Sequence, residues 1–275
     1  MSGTKVDIQA RQVAAHYDDL DTIYRKIWGE NLHHGLWVDG VRSAAEAGRR
    51  MTDLVGENLD LRPGERLFDV GCGYGRMAAD LARRFGVAAE GMTLSRKQWE
   101  QAVPGVEVSL GDWLENRLPD EHYEALVAVE SLEHMADPQG ALAQMARVMK
   151  PAGRAVLCCW LVVERPSWLE QHLFLNPIRR AGRLGGMTNE RNLRRWIEAG
   201  GLKLMTASDL SREVAGTWSS VLWRGLMGGL RDSEYRRAAL AAWRRSDLWL
   251  ISIRIRFAYH IGVLRYLILT VGHPD

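Results

Sequence analysis

The run Arg66-Leu67-Phe68-Asp69-Val70-Gly71-Cys72-Gly73-Tyr74-Gly75-Arg76 decides the fold class of this chain. Arg66–Val70 alternates and is apolar enough for a buried parallel strand. Met77, Leu81 and Phe85 behind it keep helical spacing. Three glycines at every second position turn the chain between the two. Glycine admits positive φ and leaves no Cβ between a ligand and the main-chain N–H groups. The helix that opens next offers unpaired N–H donors and the positive end of its dipole. The turn therefore suits a carboxylate, phosphate or ribose, with an ordinary tight turn of an α/β domain as the alternative.

Length and composition fit that frame. At 275 residues, one α/β domain with insertions fits better than two independent domains. A hydrophobic content of 47% with 25% charged residues belongs to a soluble globular chain. Cys72, Cys158 and Cys159 lack metal-ligand spacing, and the vicinal pair falls in an expected core strand, so a reducing cytoplasm is expected. Met1–Gln12 has no apolar h-region, so no secretory signal is expected. Leu248–Val271 is apolar but broken by Arg254, Arg256, His260 and Arg265, which argues against a membrane span. The net charge of +2 is uneven: Arg165 to Arg265 holds 17 Arg and 1 Lys against 8 Asp/Glu. Such a basic segment suits acidic lipid, a diphosphate substrate or nucleic acid, the alternative being solvated helix faces.

The spacing around the glycines differs from the dinucleotide fingerprint G-x-G-x-x-G, because Asp69 stands ahead of them in D-x-G-x-G-x-G. This resembles the first motif of class I S-adenosylmethionine (SAM) methyltransferases. The resemblance implies that Gly71, Gly73 and Gly75 approach the methionine portion of SAM and that Asp69 holds the turn or the ligand's amine.

Towards the N-terminus, Val6–Leu32 reads as a helix with 3–4 apolar spacing, leading into Ile27-Trp28-Gly29-Glu30-Asn31-Leu32-His33-His34-Gly35-Leu36-Trp37. Adjacent histidines lack metal-ligand spacing on a helix, which leaves packing or a pocket wall. With His16-Tyr17-Asp18, the segment resembles the N-terminal cap of tocopherol methyltransferases and their relatives. That likeness implies Tyr17 and Trp37 near SAM, and His33 and His34 near the acceptor. Val41–Leu59 reads as a second helix.

Downstream, Val87–Gly91 is the second expected strand, ending in Met92-Thr93-Leu94-Ser95-Arg96-Lys97-Gln98. Thr93 stands where many class I methyltransferases carry a ribose-binding acid. The run resembles the tocopherol and cyclopropane-fatty-acid variant, in which backbone groups around Thr93 and Leu94 and a Gln, here Gln98, take the ribose; an amide can both donate and accept. Glu90 has no assigned role and reads as an exposed strand end. Val106–Leu110 delivers Gly111-Asp112-Trp113, where Asp112 and Trp113 resemble the family's adenine site. Tyr123–Glu130 is near-continuously apolar, as a central parallel strand should be. Glu130-Ser131-Leu132-Glu133-His134-Met135 follows at its carboxyl end, where open α/β sheets bind ligands. In the tocopherol-methyltransferase pattern Glu130 faces the methionine end of SAM, with Glu133 or His134 towards the substrate. A capped helix start is the alternative for Glu133.

Gln139–Met149 reads as a helix, Arg154–Trp160 as strand five, Thr188–Ala199 as a helix, Leu202–Thr206 as strand six and Tyr266–Val271 as the last strand. Between the last two strands, Asp209–Gly262 is helical and rich in Trp and Arg, including Trp218, Trp223, Trp243 and Trp249. The expected architecture is a class I, Rossmann-like α/β fold: a seven-stranded, mostly parallel sheet with an antiparallel last strand. A helical cap over residues 1–60 precedes the SAM-binding domain, 61–275, and a lid is inserted at about 209–262.

The expected reaction is methyl transfer from SAM to a small lipophilic acceptor of the isoprenoid, phenolic, quinol or indole class, with carbon the family's commoner target. His134, then His33 or His34, are the candidates for a general base, since imidazole titrates near neutrality. No metal site is expected in this reading. One alternative is Mg²⁺-dependent C-methylation of a prenyl diphosphate held by arginines. Another is a non-catalytic SAM-binding or nucleic-acid-associated protein, although the chain lacks the Asn/Asp-Pro-Pro-Phe/Tyr run of many nucleic-acid methyltransferases. Peripheral contact with an anionic membrane is compatible with the enzyme reading. The sequence gives no oligomeric state.

Overall fold

The structure, a computed structural model, describes residues 5–23, 25, 28, 32–185, 187–231, 236 and 248–274. Seven strands form one path: β1 Arg66–Val70, β2 Ala88–Thr93, β3 Glu107–Leu110, β4 Tyr123–Val129, β5 Met149–Val162, β7 Lys203–Asp209 and β8 Leu264–Gly272. Their order is β3-β2-β1-β4-β5-β8-β7, and a two-residue strand, β6 (Thr188–Asn189), pairs with β5 off this path. The first five run parallel, while β8 lies antiparallel to both β5 and β7. The strand order reverses between β1 and β4, so the crevice beyond their carboxyl ends is where ligands bind such sheets.

Successive residues of a strand face opposite ways, and each face of this sheet has its own core. Leu67, Val127, Val156 and Cys158 pack with α2 (Ala44–Leu59) and α3 (Arg76–Phe85). Phe68, Leu126, Leu157 and Cys159 pack with α5 (Pro138–Val148) and the helix Glu190–Ala199. The vicinal cysteines thus belong to opposite cores, and all three cysteines are free thiols.

Several expected boundaries move for local reasons. The first described helix, α1, spans Lys5–Ile23 rather than reaching Leu32, which is not helical. Tyr24, Ile27, Gly29, Glu30 and Asn31 lie outside the described residues, as does Trp243. The second helix starts at Ala44 because the Ser43 hydroxyl accepts from the Glu46 N–H and caps it. β5 starts at Met149, since Met149 pairs with Tyr123 before a register shift returns the ladder at Arg154 opposite Ala125. The helix expected from Thr188 starts at Glu190, capped by Asn189, because Thr188 pairs with Leu161. Glu90, far from being an exposed strand end, accepts a 2.9 Å hydrogen bond from the Tyr123 hydroxyl.

The elements not expected from the sequence include the two-residue β6 and the helical run after β5. A capping box between Ser167 and Glu170 starts it at Trp168, and it continues through a π-helical turn, Gln171–Leu175, into Asn176–Ala181. Between β7 and β8 the described insertion contains helices Gly216–Arg231 and Leu248–His260. No described helix is long and apolar enough to cross a membrane.

Candidate active site

Beyond the carboxyl ends of β1 and β4 lies a cavity of about 290 Å³. Gly71 and Gly73 on its floor take φ of +79° and +57°, backbone that L side chains rarely adopt. A Cβ at Gly71 would lie 2.6 Å from the Ser131 Cβ, whereas one at Gly73 would meet nothing nearer than the Gln98 amide nitrogen at 3.7 Å. Gly71 therefore lets β1 approach the β4 loop, and Gly73 leaves its open side to the cavity. Gly75 caps α3 and faces away from the cavity, with a Cβ there 2.7 Å from Val106 Cγ1.

Asp69 is 3% exposed in the cavity wall, and burial pushes its carboxyl up to about 7. Thr93 donates to Gln98 Oε1 at 2.7 Å, which leaves the Gln98 amide hydrogens for other partners. Leu94 and Asp112 also line the cavity, and Asp112 accepts from the Leu114 N–H at 2.9 Å. Trp113 lines it too, but its indole N–H is committed to the Ala141 carbonyl at 3.0 Å, so only ring surface remains for a ligand. α1 is fastened above the turn: the Ser95 hydroxyl donates to Asp18 at 2.5 Å, and the Tyr74 hydroxyl donates to Asp21.

The β4 loop turns on Glu130, a non-glycine residue at φ +53°. Oε1 accepts from the His34 main-chain N–H at 2.7 Å and the Tyr266 hydroxyl at 2.9 Å. Oε2 accepts from the Trp160 indole at 2.8 Å and His34 Nδ1 at 3.0 Å. Burial alone would raise this carboxyl, but the His34 contacts outweigh it and hold it down at about 2. Four donors fill the approximately four acceptor positions of a carboxylate.

His34 is fully buried. The Trp218 indole, which can only donate, gives its hydrogen to His34 Nε2 at 2.7 Å. Nε2 must therefore carry a lone pair, and the ring proton sits on Nδ1 towards Glu130. With both nitrogens occupied and no place in the cavity wall, His34 has no site for a substrate proton. Its expected role as a base is corrected to that of a structural anchor.

His33 is the opposite case. Its Nδ1 lies 2.8 Å from the His34 carbonyl, which can only accept. The lone pair is thus on Nε2, which is buried at the cavity and has no hydrogen-bond partner among the described residues. Burial lowers the pKa of His33, with nearby Glu130 opposing. His134 shares a 3.0 Å hydrogen bond with the Tyr17 hydroxyl through Nε2, and burial lowers it to about 4 against an opposing contact with the Arg183 backbone. Glu133 accepts from the Trp160 main-chain N–H through Oε1. Its Oε2 has no partner among the described residues, and burial raises the acid to about 8, so it is largely protonated at neutral pH. Ser131 Oγ is likewise buried and without a partner among the described residues.

The structure therefore gathers Tyr17, His33, Asp69, Gly71, Gly73, Thr93, Leu94, Gln98, Asp112, Trp113, Glu130, Glu133 and His134 around one cavity. Trp37 lies outside it: its indole N–H donates to Thr217 at 3.0 Å and the ring packs on Gly216. Sequence reasoning missed Ser131, Trp160, Trp218 and Tyr266. A buried Trp or Tyr signals that a partner is needed, but only the fold shows which one.

A family profile described as mycolic acid cyclopropane synthetase matches residues 4–227. The 27-O-demethylrifamycin SV methyltransferase of Amycolatopsis mediterranei is 30% identical, over 96% of this chain and 97% of that protein. The probable chloroplastic tocopherol O-methyltransferase of Oryza sativa subsp. japonica is 27% identical, over 96% of this chain and 78% of that protein. Among solved structures, the cyclopropane synthase MmaA2 of Mycobacterium tuberculosis superposes with a TM-score of 0.81 at 20% identity, covering 95% of this chain and 97% of that one, a likeness of fold.

Proposed function

The chain belongs to the mycolic acid cyclopropane synthetase family of class I SAM-dependent methyltransferases, and on that premise we propose that its acceptor is a small lipophilic molecule methylated at a hydroxyl oxygen. Oxygen is preferred here to the carbon target that the resemblance implied. The observation that carries this is the His33 lone pair, oriented through Nδ1 and buried without a hydrogen-bond partner among the described residues, on a residue of the cavity wall. The names of the rifamycin and tocopherol relatives, both oxygen methylations, support the same reading.

SAM supplies an electrophilic methyl group, and the residues present fit it. The open side of Gly73, the Gln98 amide, Asp112 and the buried Asp69 carboxyl would hold its polar parts, with Trp113 offering ring surface. The cap of residues 1–60 and the insertion at 209–262 would close over the site and exclude water. Aligning the reactants is worth more than any single polar contact. His33 Nε2 takes the acceptor's hydroxyl proton, and the nearby Glu130 carboxylate stabilises the imidazolium that results. Glu133, protonated, would donate to a second oxygen of the acceptor, and Tyr17–His134 would orient it.

The test is turnover of labelled SAM with phenols, quinols and indoles, each beside an analogue lacking the hydroxyl. We expect only hydroxylated members to react. His33→Ala should lower kcat by about 10²-fold or more, more than His134→Ala, with SAM affinity retained. Because burial lowers His33, wild-type activity should persist below pH 6.5, where an ordinary imidazole would already be protonated. Methylation of the deoxy analogues, or undiminished turnover by His33→Ala, would overturn the reading.

A second reading has one observation in its favour. A crevice of about 500 Å³ lined by Arg49, Arg76, Arg83 and Arg224, with Asp80 paired to Arg83 at 2.9 Å, shares Trp28, His33, Arg76 and Val221 with the cavity wall. It suits an anionic group on the acceptor, such as a prenyl diphosphate. The described residues offer no cluster of three His, Cys, Asp or Glu for Mg²⁺. Prenyl diphosphates with and without Mg²⁺ belong in the same panel.

A further inference from the structure

The roof of the cavity is one helix thick and apolar on both sides. Ile178, Val221, Leu222, Ile251 and Ile255, from the helical run 168–181 and helices Gly216–Arg231 and Leu248–His260, face inward and line the cavity. The outer faces of the same helices are apolar as well. Trp168 is 68% exposed, Leu169 58%, Leu173 54%, Trp223 62%, Ile253 44% and Phe257 47%. Nine of the fourteen exposed large hydrophobics among the described residues lie on these helices or at the residue ending them, Ile261, which makes this a patch and not scatter. Phe174 and Phe257 stack with ring centroids 5.5 Å apart, so the run and the last helix form one surface.

The charge on this roof has one sign. The three segments carry Arg179, Arg180, Arg224, Arg231, Arg254 and Arg256 against a single carboxylate, Glu170. Glu170 accepts from the Ser167 N–H at 2.6 Å within its capping box. Arg179, Arg180 and Arg256 are exposed beside the apolar residues. Exposed Trp, Leu and Phe with arginines and almost no acid are the composition of a surface that settles into the headgroup layer of an anionic membrane.

We propose that the outer face of these helices docks on an anionic phospholipid bilayer, and that the lipophilic acceptor enters between them from the membrane. The entry route rests on the function proposed above; the docking does not. Docking should be read by co-sedimentation with phosphatidylcholine vesicles, with and without phosphatidylglycerol, at low and high salt. We expect binding that requires the anionic lipid and weakens with salt. The triple variant Trp168→Ser, Leu173→Ser, Phe257→Ser and the pair Arg179→Glu, Arg180→Glu should each lose about tenfold or more in vesicle affinity. Calorimetric affinity for SAM should be unchanged, since none of these residues lines the cavity.

Equal binding to neutral vesicles, no binding at all, or variants that bind as wild type would overturn the docking. So would a concentration-dependent dimer abolished by the same apolar substitutions, because the face would then be an interface between copies. Vesicle binding without turnover of any lipophilic acceptor would leave the docking standing and overturn the function reading.

Discussion

At the residue scale, environment decides what each polar group in the site can do. Glu130 and Glu133 stand three positions apart, yet one is held at about 2 and the other is raised to about 8. The difference lies in partners: Glu130 accepts four hydrogen bonds, whereas one oxygen of Glu133 has none among the described residues. His33 and His34 are adjacent in sequence and separated by surroundings, since His33 Nδ1 is turned to a carbonyl and Nε2 has no partner among the described residues, while an indole fills His34 Nε2. Stability should therefore depend on pH through Glu133. Its folded pKa lies above the unfolded value of 4.5, so its contribution is complete below about pH 4.5 and is lost as pH rises towards about 8. Glu133→Gln keeps an acceptor for the Trp160 N–H and carries no charge. We expect thermal melts of this variant to match wild type at pH 5 and to exceed it at pH 8.5, by on the order of 3 kcal/mol. Identical pH profiles for the two proteins would show that Glu133 gains a partner that offsets its burial.

At the element scale, the strand–turn–helix at Asp69–Gly75 separates two demands on glycine. Gly71 needs both its positive φ and the missing Cβ, because Ser131 would lie 2.6 Å from that atom. Gly73 needs the φ alone as far as the protein is concerned, with 3.7 Å to its nearest neighbour. An alanine in left-handed backbone costs about 1–2 kcal/mol. Gly73→Ala should lose about that much in a denaturant melt while weakening SAM binding sharply. Gly71→Ala should lose about 1–3 kcal/mol more through overpacking against the β4 loop. Equal stability losses would mean that the loop moves aside freely; unchanged SAM affinity in Gly73→Ala would mean that the open side of the turn does not meet the ligand.

At the scale of the whole molecule, Glu130 ties together segments far apart in the chain: the loop at His34, β5 through Trp160 and β8 through Tyr266. His34 extends the tie to the inserted helices through Trp218. Glu130→Gln is isosteric, but one oxygen becomes an NH₂ that must face at least one N–H donor whichever way the amide is turned. We expect a buried donor left without an acceptor to cost about 1–3 kcal/mol. A chemical denaturation midpoint within error of wild type would refute the tie. Much of this architecture is nonetheless local information. Alternation in Arg66–Val70, the glycine spacing, the apolar run of β4 and the helical spacings around them are properties of neighbouring residues, so the fold class, the glycine turn and thirteen of the cavity-lining residues could be read from the sequence. The helical run 168–181 was missed although its Ser167–Glu170 capping box is local, because short π-helical segments carry no clear period. The partners of Glu130, the opposite fates of His33 and His34, the displacement of Trp37 and Gly75 from the cavity, and the apolar roof depend on contacts between residues up to 184 positions apart. Sequence spacing sets which way a side chain leaves its own element; only the packed fold decides what it meets there, and so whether an imidazole becomes an anchor or a base.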